Sequence, residues 1–355
     1  MRTGPSSSSS DAAAALTAGP GRSLPLVSVV FLSYNRRQPL LESLRRTLVH
    51  SGYPPARLDV SVVDNASSDG TAEAVAREFP EVRVIRNPTN AGAPGWNRGF
   101  QTARGDYVLI LDDDAYLRPG ALERAVRAAI AQDAGLVSFS VVSSFDESRR
   151  LNDDWRTGLL SFWGCAALIS APALRALGGY DPRIFIWGNE VELTMRLLDH
   201  GFRHLHLPDV YAVHMKERIV AFEPHRYLVN ARHHGYIAGK LMRRADALAT
   251  VGNIISRAVV DALVVDRAAI GAVGQVCAGF AAGVRRRRPV RAVVSTTYRR
   301  NFHPFSAPWQ FMRTPDDRMR SRRDVAVADA RRERWEAYWA QRAAFYPTTE
   351  ASLLL

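Results

Sequence analysis

The sequence predicts an α/β fold with a mostly parallel central sheet flanked by helices, followed by a mainly helical C-terminal extension. Three observations support this prediction. Short β-branched runs alternate with helical stretches through about the first two thirds of the chain. Several of those runs end in polar residues, at the edge where parallel sheets bind their ligands. Beyond Pro224 the sequence becomes helical and basic.

The first strand is predicted over Val27–Ser33, a β-branched run typical of a buried parallel strand. A helix follows, with leucines at helical spacing from Leu40 to Leu48. The next elements are predicted, in order, as a strand over Leu58–Val63, a helix over Thr71–Glu78, a strand over Val82–Arg86, a helix over Trp96–Ala103 and a strand over Tyr107–Leu111.

The second half of this region continues the alternation. The predicted elements are a helix over Ala121–Gln132, strands over Leu136–Val142 and Phe162–Ser170, helices over Ala171–Leu177 and Glu190–His200, and closing strands over His204–Leu207 and Tyr211–His214. Residues 268–284 carry no charge. Because a membrane span needs roughly 20 apolar residues, this shorter run predicts a packed helix or one lying in the membrane interface.

The composition is that of a globular protein, with 47% hydrophobic and 23% charged residues. Residues 1–24 lack the apolar core of a secretion signal and predict a disordered leader. We expect a catalytic domain over residues 25–225 and a basic, helical region over residues 226–355. Two cysteines cannot form a disulfide framework, so Cys165 and Cys277 are expected to be buried free thiols in a reducing compartment.

The positive charge lies entirely in the C-terminal part. Residues 215–355 hold 25 Lys and Arg against 12 Asp and Glu, whereas residues 1–214 hold 22 against 23. Such asymmetry favours an anionic partner for the tail, which a membrane phospholipid, a phosphorylated acceptor or a nucleic acid would supply. The alternative is that the arginines of the run Arg285–Arg288 pair with the tail's own acids or only solvate its surface.

Three adjacent carboxylates, Asp112, Asp113 and Asp114, follow an apolar strand. Because such charges repel one another, they predict a compensating positive charge. On an extended chain Asp112 and Asp114 face the same side. Carboxylate oxygens suit Mg²⁺ or Mn²⁺, which we expect as the cofactor. The alternative is a solvated acidic turn before the next helix.

Two further clusters contain candidate functional residues. Asp64 ends a strand and is expected to accept hydrogen bonds from a nucleobase or a ribose, whereas Asp69 is expected to cap the following helix. Glu190 and Glu192 point in different directions from one helix. Either carboxylate could act as a general base, with helix electrostatics as the alternative role. Trp187, beside this pair, is a candidate for stacking on an acceptor sugar.

Five motifs follow one another along the chain. They are VSVVFLSYNR at 27–36, VVDNASSDGT at 62–71, NAGAPGWNRG at 90–99, LDDD at 111–114, and GGYD at 178–181 with GNEVELTMR at 188–196. In this order they resemble the motifs of family-2 glycosyltransferases, in particular the bacterial branch with rhamnosyl- and galactofuranosyltransferases. The resemblance covers about residues 26–240.

The resemblance implies a GT-A fold, an inverting displacement at the anomeric carbon, and a UDP- or dTDP-sugar donor. It implies that Asp112 and Asp114 bind the metal and diphosphate and that Glu190 is the catalytic base, with Glu192 in reserve. His214 resembles a histidine that meets the metal or the diphosphate in some members, with an ordinary strand histidine as the alternative. The residues assigned to nucleotide-sugar binding are Ser33, Asn35, Asp64, Asn97, Asp112 and Asp113.

The family commonly has Glu-Asp or Asp-Asp where this chain has Asn189-Glu190. Glu190 is one methylene longer than the usual aspartate, and Asn189 lacks the charge of the usual acid. Two alternatives to an active glycosyltransferase therefore stay open. One is a catalytically impaired transferase-fold protein that binds membranes or polyanions. The other is a sugar nucleotidyltransferase, although the turn after the first strand lacks the glycine-rich phosphate loop typical of that class.

We expect a cytoplasmic hexosyltransferase that makes cell-envelope polysaccharide. Its acceptor would be the hydroxyl of a glycan, a lipid-linked sugar or a natural product. We further expect peripheral association with the anionic inner face of the plasma membrane, and no binding of nucleic acid.

Overall fold

An eight-stranded mixed sheet forms the centre of the molecule, in the order β3-β2-β1-β4-β7-β6-β8-β5. The structure, a computed structural model, describes residues 23–145, 160–215, 224–264 and 266–301. The strands are β1 Val27–Ser33, β2 Leu58–Asp64, β3 Arg83–Arg86, β4 Tyr107–Asp112, β5 Ala115–Leu117, β6 Ala134–Ser143, β7 Ala166–Ser170 and β8 Arg203–His214.

Helices cover the sheet and continue beyond it. They are α1 Arg37–His50, α2 Thr71–Glu78, α3 Trp96–Thr102, α4 Ala121–Gln132, α5 Ala171–Leu177, α6 Asn189–Asp199, α7 Pro224–Leu241, α8 Arg244–Val264, α9 Gly271–Val284 and α10 Ala292–Asn301. Short 3₁₀ turns lie at Pro55–Arg57, Ala93–Gly95 and Arg267–Ile270. The α/β class, the flanking helices and the helical C-terminal part are confirmed.

Strands β3, β2, β1 and β4 run parallel, as the alternating pattern predicts. The other half is mixed, because β7 runs antiparallel to both of its neighbours and β5 runs antiparallel to β8. The antiparallel β7 begins at Ala166, so residues 162–165 of the predicted strand lie outside it. The two predicted closing strands are one strand, β8, whose pairing with β6 is interrupted by register shifts.

Both faces of the parallel half are buried, which explains why its strands are apolar at successive positions. Val29 and Phe31 of β1 pack on one face in a cluster with Leu40 of α1. Val30 points to the other face and packs in a cluster with Trp96 of α3. Because side chains alternate along a strand, one apolar run supplies both cores. This packing on both faces holds the parallel strands in register, with their carboxyl ends at one edge of the sheet.

The described residues of both predicted regions belong to a single compact unit, in which α7 packs closely against α9. The domain boundaries at 24/25 and 225/226 stay predictions, and the leader up to residue 22 lies outside the described residues, as do residues 302–355 of the tail. Cys165 is buried, as expected, but Cys277 is exposed on α9, so the prediction for Cys277 was wrong.

Candidate active site

An acidic cluster with one histidine lies at the carboxyl end of β4. The pairing of β5 with β8 sets Ala115 opposite His214 and brings that histidine to the aspartates. The Nε2 atom of His214 lies 3.0 Å from Oδ1 of Asp114 and 4.0 Å from Oδ2 of Asp112. One ligand atom of each residue lies within 4.8 Å of the other two. Two carboxylates and an imidazole at this spacing fit Mn²⁺ or Mg²⁺.

Asp113 faces away from this cluster, into the protein. Its Oδ2 accepts a hydrogen bond of 3.0 Å from Ser33 Oγ, and Arg36 Nε lies 3.4 Å from its Oδ1. Burial raises the pKa of Asp113 well above its ordinary value, and the Arg36 charge opposes that shift. The hydrogen bond from Ser33 links Asp113 to the end of β1. Asp113 therefore lies beside the cluster of Asp112, Asp114 and His214 and is not part of it.

Arg36 provides the positive charge that three adjacent carboxylates require. Its Nη2 lies 2.6 Å from Oδ2 of Asp114. Burial disfavours the charged guanidinium, but the neighbouring acids, with Asp114 foremost, raise the pKa of Arg36 above its ordinary value. The three adjacent carboxylates predict a counter-charge but do not identify the residue that supplies it. The signal that could have found Arg36 is its position in the turn directly after β1, at the same sheet edge.

Ser33, Asn35 and Asp64 lie together at the carboxyl ends of β1 and β2, where Ser33 and Asp64 are register partners. Asn35 adopts a φ of 53°. Its Oδ1 accepts a hydrogen bond of 2.7 Å from the Ser68 backbone N–H, so it fastens the β1 turn to the β2 turn. Asp64 is buried and accepts from the Ser67 N–H at 3.1 Å. The two turns therefore form one rigid edge.

Two other residues from the same motifs have structural contacts. Asp69 accepts a hydrogen bond of 3.0 Å from the N–H of Thr71, the first residue of α2, although the N-cap position itself is occupied by Gly70. The side chain of Asn97 is paired twice with the Tyr180 backbone, donating to its carbonyl at 2.9 Å and accepting from its N–H at 2.8 Å. These contacts give Asn97 a structural role and leave its predicted nucleotide-sugar contact without support.

Glu190 lies in the first turn of α6, and its carboxylate rests over Gly164. A Cβ atom at Gly164 would lie 2.3 Å from Glu190 Oε1, so only glycine leaves room for the carboxylate in this position. The next residue, Cys165, accepts a backbone hydrogen bond of 3.0 Å from Asp112. Glu190 is thus close to the acidic cluster. Burial, with a smaller contribution from the Asp112 charge, raises the pKa of Glu190 to about 7.

Glu192 has a different environment, although it lies two residues further along α6. Its carboxylate is fully buried and is bound by Arg196, with Nη2 at 2.7 Å, and by Lys240 of α7, with Nζ at 2.7 Å. Lys240 also binds Asp181 at 2.7 Å. A buried carboxylate held by two cations suits a structural ion pair and not a proton acceptor. The geometry favours Glu190 over the reserve candidate.

Trp187 precedes α6 and is held by α7. It adopts a φ of 60°, which is rare for a bulky residue, and its carbonyl accepts a hydrogen bond of 2.9 Å from His233 Nδ1. The guanidinium of Arg226 lies 5.2 Å from the centre of the Trp187 ring. The Trp187 ring therefore already has a cation–π contact with Arg226. Stacking of an acceptor sugar on Trp187 stays a prediction.

The sheet order and the position of the acidic cluster at the carboxyl ends of the strands fit the GT-A fold of glycosyltransferases. A mannosyltransferase of this kind from Pyrobaculum calidifontis, solved with GDP-mannose and Mn²⁺, matches with a TM-score of 0.51. The match covers 88% of each chain at 20% sequence identity, which shows the fold alone. Residues 28–180 match the family model described as glycosyl transferase family 2. These residues, which are under half of the chain, thus resemble family 2 glycosyltransferases, in agreement with the family predicted from the motifs.

Curated relatives agree with this assignment. The succinoglycan biosynthesis protein ExoO of Rhizobium meliloti is 33% identical over 132 residues, which are 36% of this chain and 37% of that protein. An undecaprenyl-phosphate 4-deoxy-4-formamido-L-arabinose transferase of Pseudomonas savastanoi is 32% identical over 38% of this chain and 39% of its own. The matched segments thus span well under half the length of these two relatives.

A third relative matches over a longer stretch at lower identity. The N-acetylglucosaminyl-diphospho-decaprenol L-rhamnosyltransferase of Mycobacterium tuberculosis is 24% identical over 264 residues. The alignment covers 59% of this chain and 81% of that protein. The similarity to a rhamnosyltransferase agrees with the branch indicated by the motifs.

Proposed function

We propose that this protein is an inverting, metal-assisted glycosyltransferase that moves a sugar from a UDP- or dTDP-sugar to a hydroxyl group of its acceptor. The observation that supports this most directly is the proximity of two groups. One is the cluster of Asp112, Asp114 and His214, and the other is the Glu190 carboxylate, whose pKa is raised to about 7. A carboxyl group with such a pKa exchanges protons near neutral pH, as a general base must.

The donor would lie along the carboxyl edge of the parallel strands. Asp64 would bind the base or the ribose, and the Ser33–Asn35 turn would form the adjoining wall. The diphosphate would lie beside Asp112 and Asp114, and a Mg²⁺ or Mn²⁺ held by these two residues and His214 would offset negative charge on the leaving group. Arg36 neutralises part of the acidic cluster and, by its contact with Asp114, holds that carboxylate in place.

The acceptor would be deprotonated by Glu190. Its hydroxyl oxygen forms a bond to the anomeric carbon, the bond from that carbon to the diphosphate oxygen breaks, and the hydroxyl proton passes to the Glu190 carboxylate. One displacement of this kind inverts the anomeric configuration. Gly164 supports the step by leaving the space in which the carboxylate lies.

The acceptor is proposed to be lipid-linked. Two relatives bear names that specify polyprenyl-linked acceptors, undecaprenyl phosphate in one and a diphospho-decaprenol sugar in the other. A water-soluble nucleotide sugar would reach such an acceptor at the cytoplasmic face of the membrane. The proposal therefore places the enzyme in the cytoplasm, docked peripherally on the inner face, in the synthesis of cell-envelope polysaccharide.

A ligand screen tests the proposed activity. The full chain would be heated with UDP, dTDP or GDP and with the corresponding sugar nucleotides, each with Mn²⁺ or with EDTA. A ligand at 100 times its Kd stabilises the fold by about 2.7 kcal/mol. We expect a metal-dependent rise in Tm for one nucleotide, and slow release of that nucleotide from its sugar donor. Binding without any turnover would support the impaired-transferase alternative, and no binding at all would overturn the proposal.

Gly164→Ala is expected to lower turnover by about 10²-fold with little change in donor affinity. The added methyl group would displace the Glu190 carboxylate, and a misplacement of about 1 Å can cost that much. The measurement is donor turnover together with nucleotide binding. Gly252→Ala is a matched control, because a Cβ atom there meets nothing within 4 Å. Full turnover in Gly164→Ala would mean that this carboxylate position is not required.

A further inference from the structure

An apolar stripe runs along the exposed side of α9 and the 3₁₀ turn before it. The stretch 268–284 contains no charged residue. Its exposed positions recur at helical spacing and therefore lie on one side of the helix. They are Ala268 and Ile270 in the 3₁₀ turn, and Gly271, Gly274, Cys277, Ala278, Ala281 and Val284 in α9.

The end of α8 also carries exposed apolar side chains, and the exposed Asp266 and Arg267 lie between them and the stripe in the chain. Val259, Val260 and Leu263 are exposed there at spacings of three and four residues, and Leu263 is 82% accessible. The connection from α8 to the 3₁₀ turn is short, and α8 packs against both that turn and α9. We call the exposed side chains of 259–263 and the α9 stripe the apolar face. A single large exposed side chain needs no explanation, but a continuous group of them indicates an interaction surface.

Helix α9 is fixed in place by close contact with α7. Its glycines Gly279 and Gly283 lie against the carbonyls of Arg232 and Tyr236, where an added Cβ atom would be 1.9 Å and 2.2 Å from oxygen. On α7, Gly235 and Gly239 lie equally close to the α9 backbone. The two backbones therefore touch, and α9 cannot leave α7 without losing that packing.

The same helix is the one candidate membrane span among the described residues, by length and composition alone. The candidate covers 18 residues, Arg267–Val284, with a mean hydropathy of 1.3, and 28% of it is buried. A span of the hydrocarbon core needs roughly 20 residues surrounded by lipid. Because α9 is packed on α7 and shorter than that, the geometry suits a helix lying against a membrane and not one crossing it.

Exposed arginines continue the apolar face at the end of α9. Arg285, Arg286 and Arg288 have exposed side chains. The fourth member of the run differs, because the Arg287 guanidinium donates to the carbonyls of Gly239 at 3.1 Å and Met242 at 2.9 Å. Arg287 thus caps the end of α7, while the other three are directed outward. Of the four consecutive arginines, one therefore serves the packing of α7 and three are exposed.

We propose that the apolar face and these three arginines form the surface by which the protein docks on an anionic lipid bilayer. Apolar side chains next to arginines complement a membrane, whose hydrocarbon lies directly beneath negatively charged headgroups. The surface lies outside the candidate active site. Docking on this surface needs neither donor binding nor catalysis, and it rests on the peripheral membrane location proposed above, for which it names the contact surface.

Co-sedimentation of the full chain with lipid vesicles tests this surface. The vesicles would be neutral phosphatidylcholine alone, or the same lipid with 30% phosphatidylglycerol, a proportion chosen as an order-of-magnitude match to an anionic membrane. We expect strong binding to anionic vesicles only, with release at high salt because screening shortens the Debye length. Replacing Arg285, Arg286 and Arg288 by Ser, with Arg287 kept, should weaken binding on the order of 10- to 100-fold.

Two further variants separate charge from apolar contact. Leu263→Ser with Ile270→Ser should weaken binding without changing its salt dependence. Replacing Arg77, Arg104 and Arg175 by Ser is the matched control, because these arginines are also exposed but lie in the sheet domain. Nucleotide-induced stabilisation, measured on every variant, reports the active site separately from docking.

Three outcomes would overturn the docking surface. They are equal binding to neutral and anionic vesicles, an equal loss in the control variant, or full binding by both surface variants. Dimerisation of the wild type that is abolished by Leu263→Ser with Ile270→Ser, without vesicle binding, would assign the face to contact between two copies of the chain.

Discussion

Glu190→Gln is expected to lower the rate of sugar transfer by about 10²–10⁴-fold while leaving donor binding intact. Glutamine keeps the size and the hydrogen bonds of the side chain but cannot accept a proton. The carboxylate of Glu190 is the one beside Gly164 and the acidic cluster, where it can meet an acceptor hydroxyl. The measurement is kcat for transfer, or for donor hydrolysis, beside the nucleotide Kd of the same variant.

The pH dependence of the wild type is a second readout for Glu190. Because the base must be ionised and its pKa is raised to about 7, kcat/KM should rise with pH through about 7 and fall below it. Glu190→Gln should lose this dependence together with the rate. A residual rate in Glu190→Gln that still follows a pKa near 7 would indicate another base.

Stability should change in the opposite direction from activity. A carboxyl group whose pKa rises from 4.5 in the unfolded chain to about 7 in the fold binds its proton more tightly when folded. Stability is therefore lost as pH rises between those values. Glu190→Gln should stabilise the protein at pH 8 by about 1–3 kcal/mol, measured by denaturant unfolding.

Glu192→Gln is the matched comparison. Glu192 is paired with Arg196 and Lys240 in the interior, so its loss should lower stability and leave the pH profile of any folded enzyme unchanged. An inactive, folded Glu192→Gln beside an active Glu190→Gln would reverse the assignment of the base.

Asp114→Ala is expected to abolish metal-dependent nucleotide binding. Asp114 contacts both His214, at 3.0 Å, and Arg36, at 2.6 Å, so it lies at the centre of the cluster. Wild-type protein with saturating Mn²⁺ and nucleotide at 100 times its Kd should gain about 2.7 kcal/mol, and the variant should gain almost none. Direct titration with Mn²⁺ measures the site without any enzymatic readout. Asp112→Ala should weaken metal binding less severely.

Asp113→Asn is the control for the metal prediction. Its side chain faces Ser33 and Arg36, away from the cluster, so the variant should keep a normal affinity for Mn²⁺. Equal Mn²⁺ affinity in Asp114→Ala and wild type, or nucleotide binding that EDTA leaves unchanged, would rule out this metal site.

Local patterns were sufficient for the elements that hold the site. The β-branched run of β1 could be assigned because a strand buried on both faces must be apolar throughout. The position of Asp112–Asp114 at a strand end, and the role of Asp69 at the start of α2, follow from the residues immediately around them. The antiparallel direction of β7 could not be predicted from its own residues, because a short apolar run has the same sequence pattern in a parallel and in an antiparallel strand.

Long-range contacts decided what the sequence left open. Glu190 and Glu192 belong to one helical turn but have different environments. The carboxylate of Glu190 lies against Gly164, whereas that of Glu192 is paired with Lys240.

His214 lies 100 residues from Asp114 and reaches it through the pairing of β8 with β5. Among four identical arginines, contact with α7 singles out Arg287. The sequence by itself determined where the parallel strands β1 to β4 form and which acids end them, because those depend on neighbouring residues. Only the tertiary structure decided which carboxylates meet, since burial and ion pairing depend on residues distant in the chain.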